Sequence, residues 1–441
     1  MNSINNKSVI QTLKSYLSNY NDVFYKRSFE NFVLIVISML YIQEIKSIKF
    51  LHEKFIKKYW NKCLNSFYYF LADKNFSLSK LAISTINIAM SLIPDKLKDS
   101  ATIYLIIDDT LQEKYGDKFE CCDKLFDHTR KNGSSYLKGH CFVSLVLAIP
   151  VAYNEVIHYI KIPIEYKLYD KSKTKLELAI DMITRSVSSL ESYQVVVLCD
   201  SWYTKNPLLK ALTKFKNVDV IGALRKDTVL FDLAPKPTGK RGRPRKKGDR
   251  LNYRNFKYEK EGNYFIATVK VITNLLEDAV YITATTTDIE KFSSVRLYMS
   301  TIDPNEIKTF DDVSNKNDSN SKPKNKTIFN VYRMRWNIEV VFYQIKSFWS
   351  FGNYMVRNKE AIEKYINLIG VTYTLTSLLP FMSNKFSKYK FQSPQEIKYH
   401  LSECISKELI YNNLLKTLQI NKNIITLEDV IEYLNEDSLA S

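Results

Sequence analysis

Tyr332, Arg335, Glu339, Phe342 and Lys346 recur at steps of three, four, three and four residues, the spacing of one face of an α-helix. All but Phe342 are polar or ionisable, where a core-facing stripe would be apolar. A phenol, a guanidinium, a carboxylate and an ammonium on one stripe can serve a metal ion and a phosphate. The carboxylate suits a hard cation, the guanidinium fork takes phosphate oxygens in pairs, and the ammonium acts as a point charge. The helix that carries them is predicted from Ile328 to about Phe348. Val331, Met334, Ile338, Val341 and Ile345 form an adjoining apolar stripe that seats it on a core.

Partners for Glu339 must come from upstream, where the periodicity is that of strands. Thr102 to Asp109 is a short apolar run that ends in two carboxylates, Asp108 and Asp109, followed by Thr110. Gly139 to Val151 and Val156 to Leu168 read as two further strands. Lys173 to Leu190 reads as a helix on the stripe Leu176, Ala179, Ile180, Ile183 and Val187. Gln194 to Asp200 is a wholly apolar run ending in an acid, as in a strand covered on both faces. A helix over 205–215 and a strand over Val218 to Leu224 complete the series. Adjacent strand residues point to opposite faces, so only one of Asp108 and Asp109 can address a metal; the other is a turn-forming acid at the strand end.

Tyr, two residues, Arg, three residues, Glu, six residues, Lys resembles the signature of the cut-and-paste DDE transposases of bacterial insertion sequences, typified by the insertion-sequence-four superfamily. Trp336 and Ile338 also match its R-W-x-I-E segment, and the resemblance covers roughly residues 100 to 380. It implies an α/β fold with a ribonuclease H-like catalytic core, in which the first and fourth strands lie side by side and their terminal acids become neighbours. It implies Asp108, Asp200 and Glu339 as catalytic metal ligands, with Asp108 bridging two ions, since the family's D-x-T pattern fits Asp108-Asp109-Thr110. It further implies two Mg²⁺ ions as the cofactor, with Mn²⁺ able to substitute, and no side-chain nucleophile. Tyr332, Arg335 and Lys346 become phosphate contacts beside the metals.

The composition agrees with a polyanionic partner. The chain has 441 residues, 64 Lys plus Arg against 47 Asp plus Glu, and a net charge of +17, which suits nucleic acid better than an acidic surface or a neutral metabolite. Six scattered cysteines give neither a C-x-x-C pair nor a disulfide framework. Cys121, Cys122, His128, His140 and Cys141 crowd together in sequence, but with spacings that fit no zinc pattern. The N-terminal stretch is polar and charged, unlike a signal peptide. Phe32 to Ile42 is too short to span a bilayer, and Tyr365 to Met382 carries Asn367 and several hydroxyls, so both read as buried helices. The expected place is the bacterial cytoplasm with the nucleoid, and no membrane is expected as a partner.

The expected domains are a helical, possibly DNA-binding region over 1–98, a catalytic core over 99–226 and 328–385, a β-rich insertion over 227–327 and a helical C-terminal region over 386–441. The insertion is read from Leu251 to Tyr258, Tyr264 to Thr273, Ala279 to Thr286 and Val295 to Ser300. In the resembled family it handles the DNA end, which makes Tyr253, Phe256, Tyr258 and Tyr264 stacking candidates, with ordinary sheet packing the better reading. It opens with Gly239 to Gly248, an AT-hook-like segment whose Arg241, Arg243 and Arg245 suit the minor groove of A·T-rich DNA, because Pro244 holds the strip extended. Asp311 to Lys326 is polar and of low complexity. The partners implied are element ends and target DNA, with a homodimer formed on the DNA. A metal-dependent nuclease without strand transfer, and a silent DNA-binding descendant, are the alternatives.

Overall fold

The computed structural model describes residues 8–98, 102–127, 135–153, 156–236, 245–307 and 327–420. In chain order the longer elements begin with helices α1 (Val9–Leu17), α2 (Lys26–Tyr41), α3 (Leu64–Ala72) and α4 (Leu78–Met90). Strands β1 (Thr102–Glu113), β2 (Asp123–Phe126), β3 (Tyr136–Tyr153) and β4 (Val156–Leu168) follow, then α5 (Lys175–Val187), β5 (Gln194–Cys199), α6 (Asn206–Leu212) and β6 (Val218–Leu224). Next come β7 (Leu230–Phe231), β8 (Arg250–Leu251), β9 (Glu259–Glu261), β10 (Tyr264–Thr273), β11 (Val280–Thr286) and β12 (Arg296–Ser300). Helices α7 (Thr327–Tyr332), α8 (Asn337–Phe348), α9 (Lys359–Met382) and α10 (Pro394–Ile420) are the last elements among the described residues. Two compact units result: Met1–Thr85 with Lys114–Cys122 and Tyr343–Ser441, and Ile86–Glu113 with Asp123–Phe342.

The second unit is an α/β structure around a mixed sheet. Its backbone order is β2-β3-β1-β5-β6-β12-β11-β10-β7-β8, with β4 added on β3 and β9 on β10. β1 pairs antiparallel with β3 and parallel with β5, so the first and fourth long strands are neighbours, and β6 continues parallel beyond β5. Ile103 to Ile107 and Val195 to Cys199 are buried throughout, which explains their unbroken apolar runs. α5 covers one face through Leu176, Ala179, Met182, Ile183 and Val187. Its N-terminus is a reciprocal capping box, with Glu177 N–H donating to the Thr174 hydroxyl while Thr174 N–H donates to the Glu177 carboxylate.

The strands after residue 227 do not build a sheet apart. β12 pairs antiparallel with β6, from Leu297 opposite Leu224 to Ser300 opposite Ile221, and carries β11 and β10 with it. Leu251 to Tyr258 departs from the strand expected there. Asn252 accepts the Arg254 N–H on its side chain and turns Tyr253–Asn255 into a 3₁₀ turn.

The first unit is helical. α9 is apolar enough by length and composition to cross a membrane, yet 83% of that stretch is buried inside the protein. Lys364 on α9 is buried and donates to the Leu71 and Asp73 carbonyls after α3. On α10, Glu408 accepts the Val9 and Ile10 N–H groups and so satisfies donors that α1 leaves open at its start. Lys398, also on α10, is wholly buried and donates to the Phe348 and Gln43 carbonyls.

Candidate active site

β1 presents Asp108 and Asp109 to opposite faces, and their partners separate them. Asp109 faces α5 and is fully engaged. Its Oδ2 accepts from Lys175 Nζ at 2.9 Å and Cys141 Sγ at 3.3 Å, and its Oδ1 accepts from the Tyr203 hydroxyl at 3.0 Å. Burial, then the Asp109 charge, push the Cys141 thiol well above its ordinary value, which keeps it a donor. Asp108 turns to the other face. Its Oδ1 accepts the Asp109 N–H at 2.8 Å, and its Oδ2 accepts from Arg335 Nη1 at 2.9 Å.

Asp200 follows the last residue of β5. Ile107 pairs in register with Cys199, so the next residues, Asp108 and Asp200, stand level just past the β1–β5 ladder; β1 itself does not end there as the sequence suggested but runs on to Glu113, with Asp108 opposite Ser144 of β3. The peptide after Asp200 folds back onto its side chain: Oδ1 accepts the Trp202 N–H at 2.9 Å and the Tyr203 N–H at 3.1 Å. The Thr204 hydroxyl donates to the Asp200 carbonyl at 2.7 Å. Thr204 fits there because Gly222 on β6 has no Cβ; one built at that position would lie 2.2 Å from Thr204 Oγ1.

The segment with Tyr332, Arg335 and Glu339 departs from the single α-helix expected over Ile328 to Phe348. α7 stops at Tyr332, Arg333–Trp336 is a 3₁₀ turn, and α8 starts at Asn337. Residues three apart eclipse in a 3₁₀ turn. Arg335 is accordingly drawn over Tyr332, with the guanidinium carbon 5.9 Å from the ring centre, while the Tyr332 ring packs tilted against Tyr298, ring centres 4.6 Å apart. Glu339 lies in the first turn of α8, and its Oε1 is 3.5 Å from the same Arg335 Nη1 that holds Asp108. One guanidinium therefore spans two of the three expected carboxylates.

The electrostatics follow from crowding. Burial first, then the Asp200 charge, push the Asp108 carboxyl up to about 7, against the pull of Arg335. Burial pushes the Tyr332 phenol well up, with Arg335 opposing. Among the described residues, no three His, Cys, Asp or Glu side chains are gathered as a ready cage for a metal ion. The donor set still fits a hard divalent cation: two carboxylates stand level just past the β1–β5 ladder, Asp200 raises the pKa of Asp108, and Arg335 supplies positive charge between Asp108 and Glu339.

Beside Asp200 a groove of about 750 Å³ opens, lined by Ser201, Arg225, Lys226, Arg296, Tyr298 and Tyr332 among others. Of these the sequence reading singled out only Tyr332. Arg225, Lys226 and Arg296 sit at the edge of a strand pairing that joins segments some seventy residues apart, and no local pattern marks them. Tyr203 was visible in the run Asp200-Ser201-Trp202-Tyr203, but its bond to Asp109 was not.

Lys346 is exposed two turns beyond Glu339 on α8, in the part of that helix assigned to the first unit. Arg241 and Arg243 lie outside the described residues, as does the stretch Asp311 to Lys326. Arg245 is described, and its guanidinium pairs with Asp249 at 3.0 Å. Among the stacking candidates, Tyr253 and Tyr258 pack against Phe292, and Tyr264 packs against Phe329. Of the suggested zinc cluster, His128 lies outside the described residues, and Cys141 is engaged with Asp109.

A search of curated proteins finds no match to the chain. A model of the family described as DDE superfamily endonuclease matches residues 64–261, a little under half of the chain, a span that contains Asp108 and Asp200 and ends before Glu339. Over that stretch the chain is similar to the DDE superfamily endonucleases.

Proposed function

We propose that this chain is a DDE transposase with a ribonuclease H-like core, which binds the ends of a mobile element, hydrolyses phosphodiester bonds there and joins the freed 3′ hydroxyls to target DNA. One observation carries the reading: Asp108 and Asp200 stand level, each next after the last pair of the parallel β1–β5 ladder, and Arg335 links Asp108 to Glu339. The pairing of the first long strand with the fourth supports the core assignment. The Tyr-Arg-Glu-Lys spacing supports a relationship to the insertion-sequence-four superfamily.

Asp108, Asp200 and Glu339 would hold two Mg²⁺ ions, with Mn²⁺ as a substitute. When bound, the ions promote deprotonation of water or a 3′ hydroxyl and stabilise the leaving oxygen. The chain's own residues supply position and charge. The Asp109 N–H fixes one oxygen of Asp108, and the Trp202 and Tyr203 N–H groups fix one oxygen of Asp200. Arg335 offers its fork, and Tyr332 its hydroxyl, to the scissile phosphate. Lys346 contacts the DNA backbone further along α8.

The groove beside Asp200, with Arg225, Lys226 and Arg296, takes a DNA strand. Arg241, Arg243 and Arg245 lie along the minor groove of flanking A·T-rich DNA. Both ends of the element must be held at once, so the working form is a homodimer assembled on DNA, in the bacterial cytoplasm with the nucleoid. The four expected domains stand as part of the same proposal.

Purified protein incubated with labelled element ends, target DNA and Mg²⁺ tests the reading. Joined product is expected, and Asp108→Ala, Asp200→Ala and Glu339→Ala should each abolish it while leaving DNA binding intact. Cuts without joining would make the chain a nuclease, and binding without cutting a silent relative. Full cleavage by all three variants would overturn the site.

A further inference from the structure

Asp109 and Tyr203 form a connection behind Asp108 and Asp200 that the proposed chemistry does not use. Asp109 is covalently next to Asp108, and its N–H fixes Asp108 Oδ1. Tyr203 lies three residues after Asp200, and its N–H fixes Asp200 Oδ1. The Tyr203 hydroxyl then donates to Asp109 Oδ1 at 3.0 Å, on the opposite face of the sheet from Arg335. A continuous path thus runs from one carboxylate to the other through a single side-chain hydrogen bond.

The surroundings hold this bond in one arrangement. Tyr203 is fully buried, and burial with the Asp109 charge pushes its phenol well up, so it stays a donor. Lys175 occupies the other Asp109 oxygen and also lies 4.6 Å from the Trp202 ring, so the turn after Asp200 is tied to Asp109 twice. Neither tie is needed to keep β1 beside β5, because their backbone ladder already runs from Thr102 opposite Gln194 to Ile107 opposite Cys199. Beyond that ladder β1 still pairs with β3, Asp108 opposite Ser144 and Asp109 opposite Val143, but its backbone no longer pairs with the segment that carries Asp200. The Asp109–Tyr203 bond links the two segments there.

We infer that Asp109 and Tyr203 are positioning residues that set the spacing of Asp108 and Asp200 for a divalent cation. The inference rests on the metal-site reading above. It assigns Asp109 a role different from the two alternatives the sequence left open, a ligand or a turn-former.

The test is Mn²⁺ binding to the full-length protein without DNA, followed by electron paramagnetic resonance or calorimetry, in Tyr203→Phe, Asp109→Asn, Asp109→Ala and the Tyr203→Phe/Asp109→Ala pair. Asp108→Ala serves as the control. Tyr203→Phe keeps the buried ring and should weaken Mn²⁺ binding about tenfold or more, the usual effect of losing a group that orients a ligand. Asp109→Asn still accepts the Tyr203 hydroxyl and should retain more affinity than Asp109→Ala. In the Asp109→Ala background, Tyr203→Phe should add nothing. A Tyr203→Phe protein that melts lower yet binds Mn²⁺ like the wild type would overturn the positioning role and leave the metal site standing. Wild-type protein that binds no Mn²⁺, or an Asp108→Ala variant that binds it unchanged, would overturn the metal site and the positioning role together.

Discussion

Arg335 Nη1 lies 2.9 Å from Asp108 Oδ2, and both side chains are largely shielded from water, at 14% and 16% exposed. The same nitrogen reaches Glu339 at 3.5 Å, so the guanidinium neutralises carboxylates that would otherwise repel one another. Under the proposed function, a fork so placed turns from carboxylate to phosphate when a cation takes over the carboxylates.

Arg335→Ala should lower DNA cleavage by about 10²-fold or more, the scale for removing a donor aimed at developing charge. Arg335→Lys keeps the charge and loses the planar fork, so it should fall between the two. Single-turnover cleavage rates at saturating DNA provide the measurement. An Arg335→Ala rate equal to wild type would remove Arg335 from the site.

Gly222→Ala should disturb Asp200 from a distance. The new methyl would meet Thr204 Oγ1 at 2.2 Å, and Thr204 anchors the Asp200 carbonyl. Overpacking of this kind costs about 1–3 kcal/mol. Adding Thr204→Ala relieves the clash, so the double variant should melt above Gly222→Ala alone in a thermal unfolding scan.

Arg185→Met should destabilise the second unit. Glu165 on β4 is 1% exposed and accepts from Arg185 Nη2 on α5 through both oxygens, at 2.8 and 3.0 Å, with Lys167 more distant at 3.8 Å. Losing the near partner strands a buried carboxylate, at a cost of about 3 kcal/mol. Glu165→Gln combined with Arg185→Met should recover part of the loss, and urea unfolding reads both.

Lys398 gives the first unit a pH dependence. Burial pushes its ammonium down to about 8 in the folded protein, below the ordinary lysine value of about 10.4. Between those values the unfolded chain binds more protons, so the contribution to stability rises with pH, and below about 8 the full cost of burying the charge remains. Lys398→Met removes this titration. Relative to that variant, wild type should gain up to about 3 kcal/mol between pH 8 and pH 10.4. Unfolding curves of both proteins at pH 7.5 and 10 would show it, and a difference independent of pH would contradict the shift.

Local periodicity determined much of the second unit. The runs at Thr102–Asp109, Gln194–Asp200 and Val218–Leu224 became β1, β5 and β6, because a strand buried on both faces must be apolar at every position. The two aspartates were readable for the same reason, as the acids that end those runs. The polar spacing from Tyr332 to Glu339 was readable, but its 3₁₀ turn was not, because the repeat fits three or 3.6 residues per turn over so short a stretch.

Tertiary structure decided the rest. Asp108 and Asp109 are chemically alike and adjacent, so only the elements packed on each face could distinguish them: Lys175 and Tyr203 claim Asp109, and Arg335 claims Asp108. The joining of β12 to β6 and the basic groove beside Asp200 depend on backbone pairing between distant segments. A sequence encodes the period and burial of each element locally. Register between strands is fixed only when whole faces pack, so which face each acid takes was settled by the fold.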